Sequence, residues 1–568
     1  MAEALIELFS DDDCTRYTIF IAESIARLQG RFQVLTKCNG QHLRKQSVFT
    51  ATKNCLKAFD QWALRVVQKT GKVLDPALRE HHAVKPKKEK EKPTKAQELS
   101  REQLDECFIK CLLLMLLSLE EYTSLSRALL FEVSGGLQLP VDVVYKAEMS
   151  TTSLLLETFK QLEADQSVTQ MSRKQRIRRR VLIGVSGLAG GAILGLTGGL
   201  AAPLVVTGLG TLFAGLGLST AVGATCLGTL ATSIPFITTL FGGFGAKMGV
   251  EHMRNISRGL NDFMFVPLSV ESRLPVTLCV SGWLTEYNDF SEPWVPLFTG
   301  PKSFVLGDAY ALRFEVGALL KLGKTFSELM YSTSLNWVKY EVLRRTFASA
   351  LMTALWPVAL VKLGRVVNNP WRVAFNLAEK AGVALANALC QRAQGQRPVT
   401  LIGYSLGARV ISRCLLCLAE RGEHALVENA ILLGAPVPTD WDEWFIMRSV
   451  IVGRLVNVYS THDYILRLVY RTQSIQASVA GLEPVEKVPL VENIDVSDMV
   501  EGHLQYRWSL LEILKDRVRL PGITSEDVKK AGQVSAQMEA REKEQYAEKK
   551  EHVFFNAEVN QPPPLPPR

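Results

Sequence analysis

Residues 399–420, VTLIGYSLGARVISRCLLCLAE, decide the fold class of this 568-residue chain. VTLIG is a short apolar run without polar alternation, the pattern of a strand buried on both faces. ARVISRCLLCLAE repeats its apolar residues at helical spacing. Between them stands Gly403-Tyr404-Ser405-Leu406-Gly407, a GxSxG turn. A strand that turns this tightly into a helix needs small residues around the serine, and the turn lifts the hydroxyl to the carboxyl edge of the sheet. The helix N-terminus behind it favours developing negative charge. Ser405 is therefore the candidate nucleophile, against the plainer reading of a turn whose serine caps the helix.

Outward from this turn the same alternation continues. PVTLCVSG (275–282), AYALRFEV (309–316), NAILLG (429–434) and RLVNVYS (454–460) are further apolar, β-rich runs separated by helical stretches. The pattern predicts an α/β domain over 270–520 with a parallel sheet covered on both sides. A helical insertion, 317–396, interrupts it and holds the uncharged run Phe347–Val361, which reads as a lid, a membrane-facing helix or an ordinary sheet-covering helix.

A serine hydroxyl needs a base, and in this fold the order is Ser, acid, His. The chain has eight histidines, of which His503, in Glu501-Gly502-His503-Leu504-Gln505-Tyr506, lies beyond Ser405 in a loop leading into a helix. The acid is expected just past a strand. Asp463, in the loop after RLVNVYS, fits best; Asp440, Asp442, Asp495 and Asp498 are rivals, and a helix N-cap is its plainer role. For the oxyanion hole, the Leu406 amide is one donor and the turn after PVTLCVSG supplies the other, at Trp283, whose plainer role is a core aromatic. No motif calls for a cofactor or a metal: Cys414 and Cys417 have CxxC spacing, but no second pair completes a zinc site. The ten cysteines are expected to be free thiols.

Upstream, Val181–Ala246 contains no Asp, Glu, Lys, Arg or His in 66 residues, and 16 of them are glycine. Gly187, Gly191, Gly195 and Gly199 recur every fourth residue, a flat stripe along which helices approach closely in lipid. Six bases in Ser172–Arg180 precede the block, and Lys247, Arg254 and Arg258 follow it. The positive-inside rule then places both ends in the cytosol, so 173–250 is expected to form a two-helix transmembrane hairpin; a glycine-rich core or re-entrant element is the alternative. The basic flank accounts for the net charge of +8 without nucleic acid. The N-terminal sequence MAEALIELFSDDD lacks the order of a secretory signal, so an intracellular, multi-pass membrane protein with a cytosolic α/β domain is expected.

Residues 1–165 read as a helical domain, with a solvated charged loop at 85–95 and a buried helix stripe at Cys111–Leu117. Residues 521–568 read as a charged helical tail, a solvated helix or weak coiled coil, ending in PPPLPPR. Pro563, Pro566 and Arg568 have PxxPxR spacing, which suits an SH3-domain groove or is simply a proline-rich end.

GYSLGARV, GAPVP, STHDYILR and EGHLQY, together with the glycine-rich block, resemble the family of transmembrane and coiled-coil domain-containing protein 4 and its relatives, α/β-hydrolase-like membrane proteins. The resemblance runs from the helical N-terminal region through His503, and it implies an α/β-hydrolase fold in a multi-pass membrane protein without implying a substrate. The leading expectation is a membrane-anchored serine hydrolase, esterase or lipase-like, acting on an ester or lipid. Its rival is a non-catalytic membrane adaptor or trafficking protein on the same scaffold.

Overall fold

A computed structural model of the chain describes residues 9–38, 46–74, 100–119, 121–157, 234–241, 256–269, 272–333, 358–471 and 478–559. Among these, seven strands form one sheet in the order β1-β3-β2-β4-β5-β6-β7. The strands are β1 (Phe263–Pro267), β2 (Val276–Val280), β3 (Asp308–Phe314), β4 (Val399–Tyr404), β5 (Val427–Leu433), β6 (Leu455–Tyr459) and β7 (Val491–Asp495). The pairings from β3 through β7 are parallel, whereas β1 runs antiparallel to β3. The sheet is thus mixed.

The five strands expected from apolar runs are present, and the two additional ones lie at the edges. In β1 the buried Phe263 and Phe265 alternate with the exposed Met264, a strand with one face in water. β7, VENID, is half exposed and largely polar, so it lacks the apolar run that marks β4, where all six residues are buried.

Helices cover the sheet. α9 (Leu406–Glu420) directs Leu406, Val410, Cys414 and Leu418 inward at a spacing of four. It packs against α8 (Val358–Cys390), whose buried Ala374, Ala378, Ala381, Leu385 and Ala388 form a shallow face. The backbones approach so closely that a Cβ at Gly382 would lie 2.6 Å from the Cβ of Arg413. α7 (Val316–Thr333) belongs with α8 to the expected helical insertion. Much of its uncharged run, Phe347–Val361, falls outside the described residues.

The N-terminal region is helical: α1 (Asp11–Cys38), α2 (Gln46–Leu74), α3 (Arg101–Leu117), α4 (Ser124–Gly136) and α5 (142–157). Ser100 and Gln103 close a capping box at the start of α3, and Cys111–Leu117 is buried throughout, a helix enclosed by protein. This bundle and the sheet domain share a contiguous hydrophobic core. Their seam is also polar. Tyr122 N donates to Gln396 O, and Ser124 N and Oγ donate to Ala425 O and Leu426 O. Buried Arg127 joins Glu148 at 2.7 Å to Glu428 of β5, also at 2.7 Å.

Most of the uncharged block, its basic flank, the charged loop 85–95 and the proline-rich end with Pro563, Pro566 and Arg568 lie outside the described residues. The exception is α6 (Ile234–Phe241), eight residues whose Ile237 and Leu240 are buried in the protein. Buried Arg397 holds it to the sheet domain, donating to Phe241 O at 2.9 Å and to Asp308 at 2.6 Å. Gln396 N donates to Thr239 O. No helix among the described residues is long and apolar enough to cross a membrane. The described part of the uncharged block, Ile234–Phe241, thus packs on protein, and the rest of the hairpin expected over 173–250 lies outside the described residues.

Candidate active site

The turn between β4 and α9 holds Ser405 at φ +55°, ψ −127°, a conformation that non-glycine residues rarely adopt and that persists only where the surroundings impose it. Those surroundings are glycine backbones. A Cβ at Gly407 would lie 2.0 Å from Val280 O, one at Gly403 2.8 Å from Gly407 C, and one at Gly282 2.3 Å from Leu406 N. The end of β2 thus lies directly against the elbow. Ser405 makes no side-chain cap to α9, so its hydroxyl is not occupied as the capping alternative would require.

The hydroxyl instead lies 2.6 Å from His503 Nε2, and His503 Nδ1 lies 2.6 Å from Asp463 Oδ2. A carboxylate only accepts, so Nδ1 carries the proton and Nε2 is left to accept from the serine. Ser405 and Asp463 are 0% exposed and His503 1%. Asp463 also serves as an N-cap. Its Oδ1 accepts from Leu466 N at 2.9 Å at the start of α11 (Tyr464–Arg471), which fixes the carboxylate while Oδ2 faces the imidazole.

Three of the rival acids are engaged elsewhere. Asp440 caps α10 (Trp441–Ser449), Asp495 accepts from Ser497, and Asp498 pairs with Arg517. His424 and His462 face Ser449 O and Ser497 O respectively. Burial holds the Tyr404 and Tyr506 hydroxyls above the usual phenol range, the Asp463 charge adding to the effect at Tyr506, so neither supplies a phenolate base.

The Leu406 amide stands at the first position of α9, beside Ser405. Trp283 follows Gly282, whose backbone abuts Leu406, and its ring is buried edge-on to Tyr404 at 6.0 Å. Its loop is held on two sides. Leu284 N donates to Leu319 O of α7, and a Cβ at Gly323 of α7 would lie 1.9 Å from Leu284 O. On the other side, Asp289 Oδ2 accepts from the amides of Thr285 and Glu286, both at 2.7 Å.

Two aromatic residues of the helical insertion cover the triad geometry. Phe326 of α7 meets His503 edge to face at 5.6 Å, and Trp371 of α8 packs on Phe326 at 6.0 Å. Neither residue has a sequence signal, because their role depends on how α7 and α8 fold back over the elbow. Among the described residues no cluster of His, Cys, Asp and Glu could hold a metal ion.

Comparison with known proteins adds an independent line. A family described as "Protein of unknown function (DUF726)" matches residues 175–520. The Schizosaccharomyces pombe protein named "Uncharacterized membrane protein C6F6.13c" is 50% identical over 98% of this chain and 95% of its own length. "Transmembrane and coiled-coil domain-containing protein STS1" of Oryza sativa is 33% identical over 65% of this chain and 56% of its own length. "Probable lipase MIL1" of Saccharomyces cerevisiae is 32% identical over 71% of this chain and 38% of its own length. The chain thus spans little more than half of the rice relative and less of the budding-yeast one. No solved structure matches.

Proposed function

The chain belongs to the DUF726 family, the transmembrane and coiled-coil domain-containing proteins that its motifs resemble, and from that premise we propose that it is a membrane-associated serine hydrolase. The reaction is cleavage of an ester, lipase-like, through a covalent acyl-enzyme. The observation that carries the reading is the unbroken line from Ser405 Oγ to His503 Nε2 and from Nδ1 to Asp463, at 2.6 Å for each step.

Attack by Ser405 Oγ on the ester carbonyl transfers its proton to His503 Nε2. Asp463 holds the ring in the required tautomer and stabilises the imidazolium. The tetrahedral oxygen takes the amides of Leu406 and Trp283, with the N-terminus of α9 adding favourable field. Collapse expels the alcohol, which receives the proton from Nε2 and leaves the acyl group on Ser405. Water then repeats the sequence: His503 takes its proton, the acid departs, and Ser405 is restored. Every bond broken is matched by one formed, without a cofactor.

The class of substrate draws on two supports. Relatives are named as membrane proteins and one as a probable lipase. The residues over the elbow, Phe326 and Trp371, are aromatic, suited to an acyl chain. A two-helix hairpin within 181–233, with both ends in the cytosol, remains the proposed anchor, and the PPPLPPR end the proposed SH3-domain ligand. The test is a fluorophosphonate probe on the full chain in membranes. Labelling of the wild type and its loss in Ser405→Ala supports the hydrolase; a folded wild type that resists the probe leaves the adaptor reading instead.

A further inference from the structure

The tail helix α13 (Ser525–Val559) is highly charged, yet its first half lies against the sheet domain. Thr524 and Asp527 cap its start, and Asp527 occupies the space a Cβ at Gly300 would need. Ala531, Val534 and Met538 line a crevice with Pro293, Pro296 and Trp508. Beyond this contact Glu542 turns inward. Its Oε1 lies 2.6 Å from Thr285 Oγ1 and 3.2 Å from Arg507 Nη1.

Arg507 is the centre of this arrangement. It sits on α12 (Gln505–Trp508), four residues after His503, with its side chain 3% exposed. Nη2 donates to Asp289 Oδ1 at 2.6 Å and Nη1 to Thr285 Oγ1 at 2.7 Å, and the guanidinium lies 5.8 Å from the centre of the Trp283 ring. Asp289 in turn accepts the Thr285 and Glu286 amides. One guanidinium therefore ties three segments: the helix after the imidazole, the loop bearing the second oxyanion donor, and the tail. Thr285 Oγ1 has a single proton but two acidic neighbours, Asp289 at 2.8 Å and Glu542. A proton on Glu542, donated to Thr285 Oγ1, would satisfy the whole set.

We propose that Glu542 is a positioning residue: through Thr285, Arg507 and Asp289, the C-terminal helix holds residues 283–286 so that the Trp283 amide meets the tetrahedral oxygen. The inference rests on the hydrolase reading. Oxyanion donors stabilise charge that exists only in the transition state, so a displaced donor lowers kcat and leaves KM unchanged. Loss of such a donor costs about 100-fold or more, and a loosened one about tenfold.

The experiment uses the full chain in vesicles, p-nitrophenyl butyrate turnover and fluorophosphonate labelling of Ser405. Glu542→Ala and Thr285→Val should each lower kcat and the labelling rate about tenfold with KM unchanged. The double variant should be no slower than either single one, because both act through one linkage. Glu542→Gln keeps a donor and an acceptor at that position and should restore most of the rate. Labelling of Glu542→Ala at the wild-type rate, additive losses in the double variant, or failure of Glu542→Gln to recover activity would each overturn the role of Glu542 alone. A wild type that neither labels nor turns over the ester would overturn the hydrolase reading, and this inference with it.

Discussion

At Asp463 one carboxylate serves two partners, and a single substitution separates them. Asp463→Asn keeps an oxygen for the Leu466 amide but can present an N–H to His503 Nδ1, forcing the opposite tautomer on the ring. Ester turnover should fall by about three to four orders of magnitude while the thermal midpoint stays close to that of the wild type. A melting curve and a rate measured on the same preparation check both halves, and a variant with near-normal turnover would remove Asp463 from the mechanism. The residues the structure gathers around Ser405 differ in how readable they were. Ser405, His503 and Asp463 stand at ends of strands or in loops whose order along the chain is set by the fold, so position alone pointed to them. Asp289, Arg507 and Glu542 were not readable. Their significance arises where the loop at 285–289 meets Arg507 and Glu542, each more than two hundred residues further along the chain, and a charged residue in a charged tail offers no local sign of being buried.

At the level of elements, the cover over the elbow is the part whose role sequence left open. Helical periodicity over 317–396 announced α7 and α8 but not that Phe326 would press on His503 or that Trp371 would support it. Phe326→Ala removes a buried ring, which should cost about 3 kcal/mol of stability. The same change opens a path to Ser405 and should speed fluorophosphonate labelling; slower labelling of folded variant would show that the ring orients the imidazole more than it blocks access. The edge strands were missed for a related reason. β1 and β7 each have a face or an end in water, so their sequences lack the unbroken apolar character by which β4 is recognised. The tail that forms α13 reads in sequence as a solvated helix or weak coiled coil. Its composition is that of a surface helix, and its docking depends on a few residues, Ala531 and Met538 among them, too sparse to form a pattern.

Across the whole molecule, bundle and sheet domain are joined by groups that do not tolerate a change of charge. His424, at this seam, donates from Nδ1 to Ser449 O, while its Nε2 is buried without a partner among the described residues. A second proton would place an N–H where nothing accepts it, and burial holds the imidazole below its usual value of 6.5. The unfolded chain therefore binds the proton more readily than the folded one. The contribution to stability is complete above about pH 6.5 and is lost as pH falls through and below that value. The wild type should lose thermal stability between pH 7 and 5 more steeply than His424→Gln, and parallel curves for the two would exclude the histidine as a source. Among the described cysteines, buried Cys55 is pushed up to about 12 by its apolar setting and should stay inert toward thiol reagents until the fold opens.

The grip of Arg397 on Phe241 and the hydroxyl of Ser405 lie at opposite ends of β4, six residues or about 20 Å apart. Residues Ile234–Phe241 are thus fastened at the foot of the sheet, with the serine oxygen at its crown. A change that frees α6 from Arg397 therefore acts a full strand's length away from that oxygen, at the far edge of the same sheet.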